Sequence, residues 1–263
     1  PLAGAPTCNH DECRKNPSHW HLSNPTLVKI AIIGYGKMGK EVESVAVKRN
    51  HEIVLKANLA GEINEEILTA ADVAIEFTSP ENAVDNIYRC FDVNLPIVVG
   101  TTGWMHDLER VKTACIDQGQ ALLYASNFSI GVNIMFVVNE KLAQLMNTQP
   151  MYEVAMEEIH HTEKKDAPSG TAISLANGIT DNIDRKSGWT LKEDAKDNEI
   201  RIKASREADV LGTHTVRYSS AIDELELKHT ARGRKGFAMG AVLAAEWLPG
   251  RTGVFTMKDL MTL

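Results

Sequence analysis

The stretch 27–42, "LVKIAIIGYGKMGKEV", decides how the chain folds. "LVKIAII" is a short apolar run of strand type, and "KMGKEVESVAVKRN" repeats its apolar residues at helical spacing. Between them Gly34, Gly36 and Gly39 stand in G-x-G-x-x-G order, with Tyr35, Lys37 and Met38 interleaved. Glycines at these positions permit a tight turn and let main-chain N–H groups approach a pyrophosphate at a helix N-terminus, where the helix dipole favours negative charge. A turn that is glycine-rich for no ligand is the competing reading. The strand–turn–helix–strand context favours a dinucleotide site.

Working outward, "EIVLKA", "DVAIEF" (72–77), "PIVVGTT" and "ALLYAS" read as strands. A helix from Pro80 to about Cys90 and another over "WMHDLERVKTACIDQG" alternate with them. Such alternation predicts a parallel sheet covered by helices on both faces. After Phe128 the texture changes. A long helix, "GVNIMFVVNEKLAQLM", precedes a strand, "YEVAMEEIHH", and a helix over about Thr171 to Asp181. "DRKSGWTLKEDAKDN" reads as a polar loop, followed by three strands with no helix between them: "EIRIKASRE", "GTHTVRYSS" and "DELELKHTA". The last segment returns to helix. The expected fold class is α/β: a Rossmann-like parallel-sheet domain over 27–128 plus 237–263, and a smaller α+β domain over 129–236 with a mixed, largely open sheet.

With 263 residues, 43% hydrophobic and 24% charged, the chain is long enough for two modest domains, and its net charge of −7 argues against a nucleic-acid surface or an anionic membrane as partner. No run of about 18 apolar residues occurs, so no membrane span is expected. Cys90 and Cys115 fall inside predicted elements without motif spacing and read as reduced thiols of a cytoplasmic protein. Residues 1–26 lack periodicity and are read as a disordered extension or cloning remnant. Their Cys8, His10, Cys13, His19 and His21 match no zinc spacing.

The second strand of a dinucleotide fold ordinarily ends in an acidic residue that grips the ribose. Here Asn58 stands at that place with Lys56 nearby, so both NADH and NADPH are expected to be accepted. Two further loops follow strands: "FTSPE" with Phe77 and Thr78, and "GTTGW" with Gly100, Thr101 and Thr102. Their small hydroxylated residues suit a nicotinamide ribose. "YASNFS", carrying Ala125, Ser126, Asn127 and Phe128, lies where the chain leaves for the second domain.

The stretch 157–172, "EEIHHTEKKDAPSGTA", holds the chemistry. A metal site needs His160 and His161 to face one point, which neighbours on a strand do not do; Glu157, Glu158 and Glu163 could assist, but no third ligand is spaced convincingly. A purely structural role is a second reading. The third fits better: Ser169, Gly170 and Thr171 open a helix and form a carboxylate-binding nest, His161 and Lys164 add positive charge, and His160 can trade a proton near neutral pH.

The glycine loop, "FTSPE", "GTTGW", "SNFSIGVN", "EIHHTEKKDAPSGTA" and "ARGRKGFAMGA" occur in the order and spacing of a known family. From Leu27 onward the chain resembles the bacterial 4-hydroxy-tetrahydrodipicolinate (dihydrodipicolinate) reductases. The resemblance implies NAD(P)H-dependent reduction of a cyclic dicarboxylate on the route to diaminopimelate and lysine. It implies His160 as proton donor/acceptor, Lys164 as second proton donor, and His161, Ser169, Gly170 and Thr171 as carboxylate ligands. Residues Gly34 to Gly39, Gly100 to Thr102, Ala125 to Phe128 and Arg234 would line the cofactor. A homotetramer built through the second-domain sheets and a hinge between domains are implied as well. No metal is. Another two-domain dehydrogenase, which the paired histidines and the Ser-Gly-Thr turn fit less well, and a non-catalytic dinucleotide sensor, which has no need of the His160 and Lys164 pair, are the rival readings.

Overall fold

The computed structural model describes residues 26–58, 62, 63 and 65–261. The expectation for 1–26 therefore falls, but for Thr26, outside the described residues. These divide into two compact units, one running to Ser129 and resuming at Phe237, the other spanning Ile130–Gly236.

The first unit opens with β1 (Lys29–Ile33), α1 (Lys37–Lys48) and β2 (Glu52–Ala57). Every residue of β1 after Lys29 is buried, as a strand covered on both faces requires. Helix α1 turns Gly39, Val42, Val45 and Ala46 inward at helical spacing. A short helix α2 (Glu65–Thr69), not foreseen in the sequence, precedes β3 (Val73–Glu76). Helix α3 (Pro80–Asp92) starts with its proline in the first turn, where a missing N–H costs nothing. Then come β4 (Ile97–Val99), α4 (Leu108–Asp117) and β5 (Ala121–Tyr124).

The second unit comprises α5 (Ile130–Asn147), β6 (Glu153–His160), α6 (Gly170–Thr180), β7 (Gly188–Thr190), β8 (Glu199–Arg206), β9 (Thr213–Ser219) and β10 (Glu224–Thr230). Its sheet runs β10-β9-β6-β8-β7 and is mixed: β6 is antiparallel to β9 and parallel to β8. Helices α5 and α6 cover one face, burying Met135, Leu175 and Ile179 against Val154, Met156 and Val216. The other face is charged, with Glu157 paired to Lys203 and Arg217 to Glu226.

The chain ends in α7 (Lys235–Trp247), β11 (Gly253–Phe255) and α8 (Met257–Leu260). Small residues let α7 approach closely: a Cβ at Gly240 would lie 1.8 Å from the Phe128 carbonyl oxygen. Arg49 holds Glu246 of α7 through Nε at 2.5 Å and Nη2 at 2.8 Å. Strand β11 completes a six-stranded parallel sheet of order β11-β5-β4-β3-β1-β2.

Two expectations need correction. Residues 188–190 form a strand inside the stretch read as a polar loop, and 253–255 form one inside the terminal segment read as helix. Each is three residues long, too short for periodicity to register, and each exists because it pairs with a neighbour, β7 with β8 and β11 with β5. Among the described residues no helix is long and apolar enough to cross a membrane.

Candidate functional site

Strand β1 lies between β2 and β3, so the chain crosses to opposite sides of it and leaves a crevice at the carboxyl ends of β1 and β3. The glycine loop occupies that end. Gly34 has a φ of +98°, and a Cβ there would lie 2.1 Å from the Phe77 carbonyl oxygen. A Cβ on Gly39 would meet the Gly34 carbonyl oxygen at 2.3 Å, whereas one on Gly36 would meet nothing within 4 Å. Gly34 and Gly39 serve the fold, while Gly36 faces open space.

Helix α1 begins there with no capping side chain and no acidic residue in its first turn, while the exposed Lys37 stands beside it. Uncapped N–H groups, open space and a nearby cation fit a pyrophosphate. Adjoining the loop is a pocket of about 130 Å³ lined by Ile33, Ala57, Asn58, Ile63, Thr78, Asn82 and Asn86.

Asn58 directly follows β2, and its main-chain N–H donates to Glu62 Oε2 at 2.6 Å. A carboxylate thus reaches this strand end from four residues downstream. Lys56 is engaged: its ammonium pairs with Glu43, which also accepts from the Tyr35 hydroxyl, and it lies 5.4 Å from the Tyr35 ring centre.

The other two loops are tied together by a buried carboxylate. Glu76, at the end of β3, accepts from the Thr78 N–H at 2.9 Å and from the Thr78 hydroxyl. The same N–H reaches Thr101 Oγ1 at 2.8 Å. Burial pushes the Glu76 pKa above the usual carboxylate range, opposed by hydrogen bonds from Thr78, Thr101 and Asn86. Phe77 packs edge-on against Phe128 with ring centres 6.0 Å apart, and its ring fills the space where a Gly100 side chain would sit. Phe77, Thr78, Gly100, Thr101 and Phe128 are therefore brought together. Thr102 and Ser126 are exposed, and Ala125 and Asn127 are half-buried. Asn127 Oδ1 accepts from the Ser129 N–H at 2.8 Å.

In the second unit His160 ends β6 on its buried face, and His161 lies just past the strand, half-buried. Lys164 donates to both Asp166 oxygens at 2.8 and 2.9 Å. Arg206 ties down the same loop, donating to the carbonyls of Lys164 at 3.2 Å and Asp166 at 2.6 Å. Ser169 caps α6, accepting the Ala172 N–H at 3.2 Å on Oγ; such a cap contributes about 1 kcal/mol. Gly170 and Thr171 form the first turn of α6. His160, Lys164, Ser169, Gly170 and Thr171 thus cluster at one end of the second sheet, with Arg234 exposed just ahead of α7.

Sequence reading passed over His214 and Arg206 and weighed Glu158 only as an aid to a metal site. In the sheet register Glu158 stands opposite His214, and His160 opposite Arg206. The His160 and His214 rings meet edge to face with centres 5.0 Å apart. Burial pushes the His160 pKa below its usual value; Lys164 and Arg206 add to the effect, while Glu158 and Asp166 oppose it. Burial, reinforced by His160, drives His214 down to about 3. Glu158, His160 and His214 offer ligand atoms within 4.8 Å of one another, a spacing one metal ion could bridge. The Arg206 guanidinium 3.5 Å from the Glu158 carboxylate, and the Ser169 hydroxyl 3.1 Å from His214 Nε2, already meet that charge and that nitrogen. Strand alternation puts Glu158 two residues before His160 on one face, a signal the sequence carries. His214 and Arg206 carry no local signal.

A parallel sheet with an uncapped glycine loop, joined in one chain to a mixed sheet bearing a histidine–lysine cluster, defines the class: an NAD(P)H-dependent oxidoreductase of two units. Models of the dihydrodipicolinate reductase N-terminus and C-terminus match residues 28–128 and 131–261. The chain is 47% identical to the 4-hydroxy-tetrahydrodipicolinate reductase of Christiangramia forsetii over 89% of this chain and 98% of that one. It is 35% identical to the enzyme of the same name from Akkermansia muciniphila, over 90% and 99%. In fold it is similar to the dipicolinate-bound dihydrodipicolinate reductase from Paenisporosarcina sp. TG-14, with a TM-score of 0.70 at 24% identity over 89% of this chain and 99% of that one. The chain belongs to the dihydrodipicolinate reductase family.

Proposed function

We propose that this chain uses NADH or NADPH to reduce 4-hydroxy-tetrahydrodipicolinate to tetrahydrodipicolinate, in the diaminopimelate route to lysine. The observation that carries the reading is the cluster at the end of β6, where His160 and Lys164 adjoin the N-terminus of α6. When bound, the cofactor supplies the hydride.

The residues of this chain bind, orient and protonate. Residues 27–128 with 237–263 serve the dinucleotide: Gly36 and the first turn of α1 take the pyrophosphate, Asn58 faces the adenosine ribose, and Thr78 and Thr101 the second ribose. Residues 129–236 serve the dicarboxylate. His161, Gly170 and Thr171 present donors to a carboxylate, with Ser169 alongside, and the carboxylate gains from the dipole of α6. As hydride arrives, negative charge builds on the conjugated ring, and His160 and Lys164 supply the protons that quench it.

The face of the second sheet left clear of α5 and α6 supports assembly as a homotetramer. The reduced thiols of Cys90 and Cys115 support a cytoplasmic setting. The test is NAD(P)H oxidation with freshly made synthase product, repeated with dipicolinate as a planar competitor. Consumption of cofactor no faster than without protein would sink the proposal.

A further inference from the structure

Glu158 is wholly buried, yet none of the steps above employs it. A carboxylate out of water is costly unless its oxygens are matched by donors and charge. Four groups surround this one, each from a different part of the second unit. The Ser169 N–H, at the start of α6, donates to it at 3.0 and 3.2 Å. Arg206 Nη1 at the end of β8 is 3.5 Å away, His160 Nδ1 on its own strand 3.6 Å, and His214 Nε2 on β9 3.8 Å. His160 Nδ1 is buried and has no hydrogen-bond partner, so the nearby carboxylate is its electrostatic counterpart.

We propose that Glu158 is the positioning residue of the proton-transfer site, fastening the carboxylate-binding turn at Ser169 to the strand that bears His160 and balancing the proton His160 must carry. This rests on the reading of His160 as proton donor.

The charges facing His160 can be enumerated by element. Lys164 and Asp166 come from the loop after β6, Arg206 from β8, the neutral His214 from β9, and Glu158 from β6 itself. The two cations and burial favour the unprotonated ring; the two carboxylates favour the imidazolium. The Asp166 side chain is 62% exposed and is screened by water, whereas Glu158 is not. Substrate adds two negative charges when it binds. In the free enzyme Glu158 opposes the loss of the proton from His160, and the bound carboxylates add to its effect.

The test is Glu158→Gln, which keeps the shape and can still accept from Ser169 through its carbonyl. The His160 titration, followed by NMR on labelled histidine and assigned with His160→Gln, is expected to move about one pH unit lower, since one unit is the scale of a single close charge. The basic limb of the kcat profile should move with it, and kcat above that limb should fall about tenfold. KM for the dicarboxylate should stay constant or decrease, because a negative charge has been removed. A merely structural role would instead raise KM and lower Tm while leaving both titrations in place, and that result would overturn the proposal. So would a stoichiometric metal ion in the purified protein that is lost in Glu158→Gln. Glu158→Asp keeps the charge and should hold the limb at the wild-type pH; a shift there equal to that of glutamine would also overturn it. The NMR titration needs no turnover. An inactive wild-type protein would therefore count against the proposed function, and an unmoved His160 against Glu158.

Discussion

The main-chain N–H of Ser169 and the carboxylate of Glu158, eleven residues apart in sequence, are joined by hydrogen bonds of 3.0 and 3.2 Å in the interior of the second unit. The turn that opens α6 is thereby fixed to the strand that ends in His160. Donors for a carboxylate and a group able to protonate the same molecule are held as one piece. That preorganisation is the physical basis for expecting acid catalysis here, since a proton donor works only when its distance to the acceptor is set beforehand.

Lys164→Ala is expected to lower kcat by roughly 10²–10⁴-fold, the scale of a lost acid or base, with NAD(P)H affinity nearly unchanged. His160→Gln should behave similarly, whereas Thr171→Ala should mainly raise KM for the dicarboxylate. Steady-state kinetics separate these effects, and normal turnover by Lys164→Ala would remove that residue from the chemistry.

The glycines of the loop should divide by function. Gly34→Ala forces a side chain onto a φ of +98° and against the Phe77 carbonyl, so it should cost at least about 2 kcal/mol and lower Tm. Gly36→Ala meets no atom and should leave Tm close to wild type while raising KM for the cofactor ~10-fold or more, about 1.4 kcal/mol of lost binding. Equal effects of the two on Tm would contradict the assignment of Gly36 to the pyrophosphate.

Acid should destabilise the fold through His214. Its folded-state pKa of about 3 lies below the ordinary 6.5, so between those values the unfolded chain takes up a proton that the folded chain refuses. Stability then falls as pH drops from about 6.5 toward 3, at up to about 1.4 kcal/mol per pH unit, and the group contributes nothing above that window. Urea unfolding midpoints between pH 7 and 4 should show the slope, and His214→Gln should flatten it.

Cofactor choice should respond to Glu43. Its carboxylate occupies Lys56, the cation nearest the end of β2, and Glu62 adds a second negative charge beside Asn58. Wild-type kcat/KM for NADH and NADPH is expected to differ by less than a hundredfold. Glu43→Gln frees Lys56 and should shift the ratio about fivefold toward NADPH, in keeping with the ~1 kcal/mol of an exposed charge pair. A shift toward NADH would show that Lys56 does not face the 2′ position.

The sequence by itself determined the strand–glycine–helix opening, the alternation of the first half, the change of texture after Phe128 and the string from His160 to Thr171. All of these are local: a period of 3.6 or 2, a glycine forced by a turn, a serine at a helix start. Tertiary structure decided what depends on partners distant along the chain. Residues 253–255 become a strand because β5 offers its edge, and the Glu62 carboxylate meets the Asn58 N–H at the end of β2, a contact no periodicity announces. His214 stands 45 positions from the Ser169 hydroxyl it meets, and the sheet register alone sets it across from Glu158. A side chain's chemistry is written in its identity, but its charge state is set by burial and by neighbours, and those exist only once the sheet has formed.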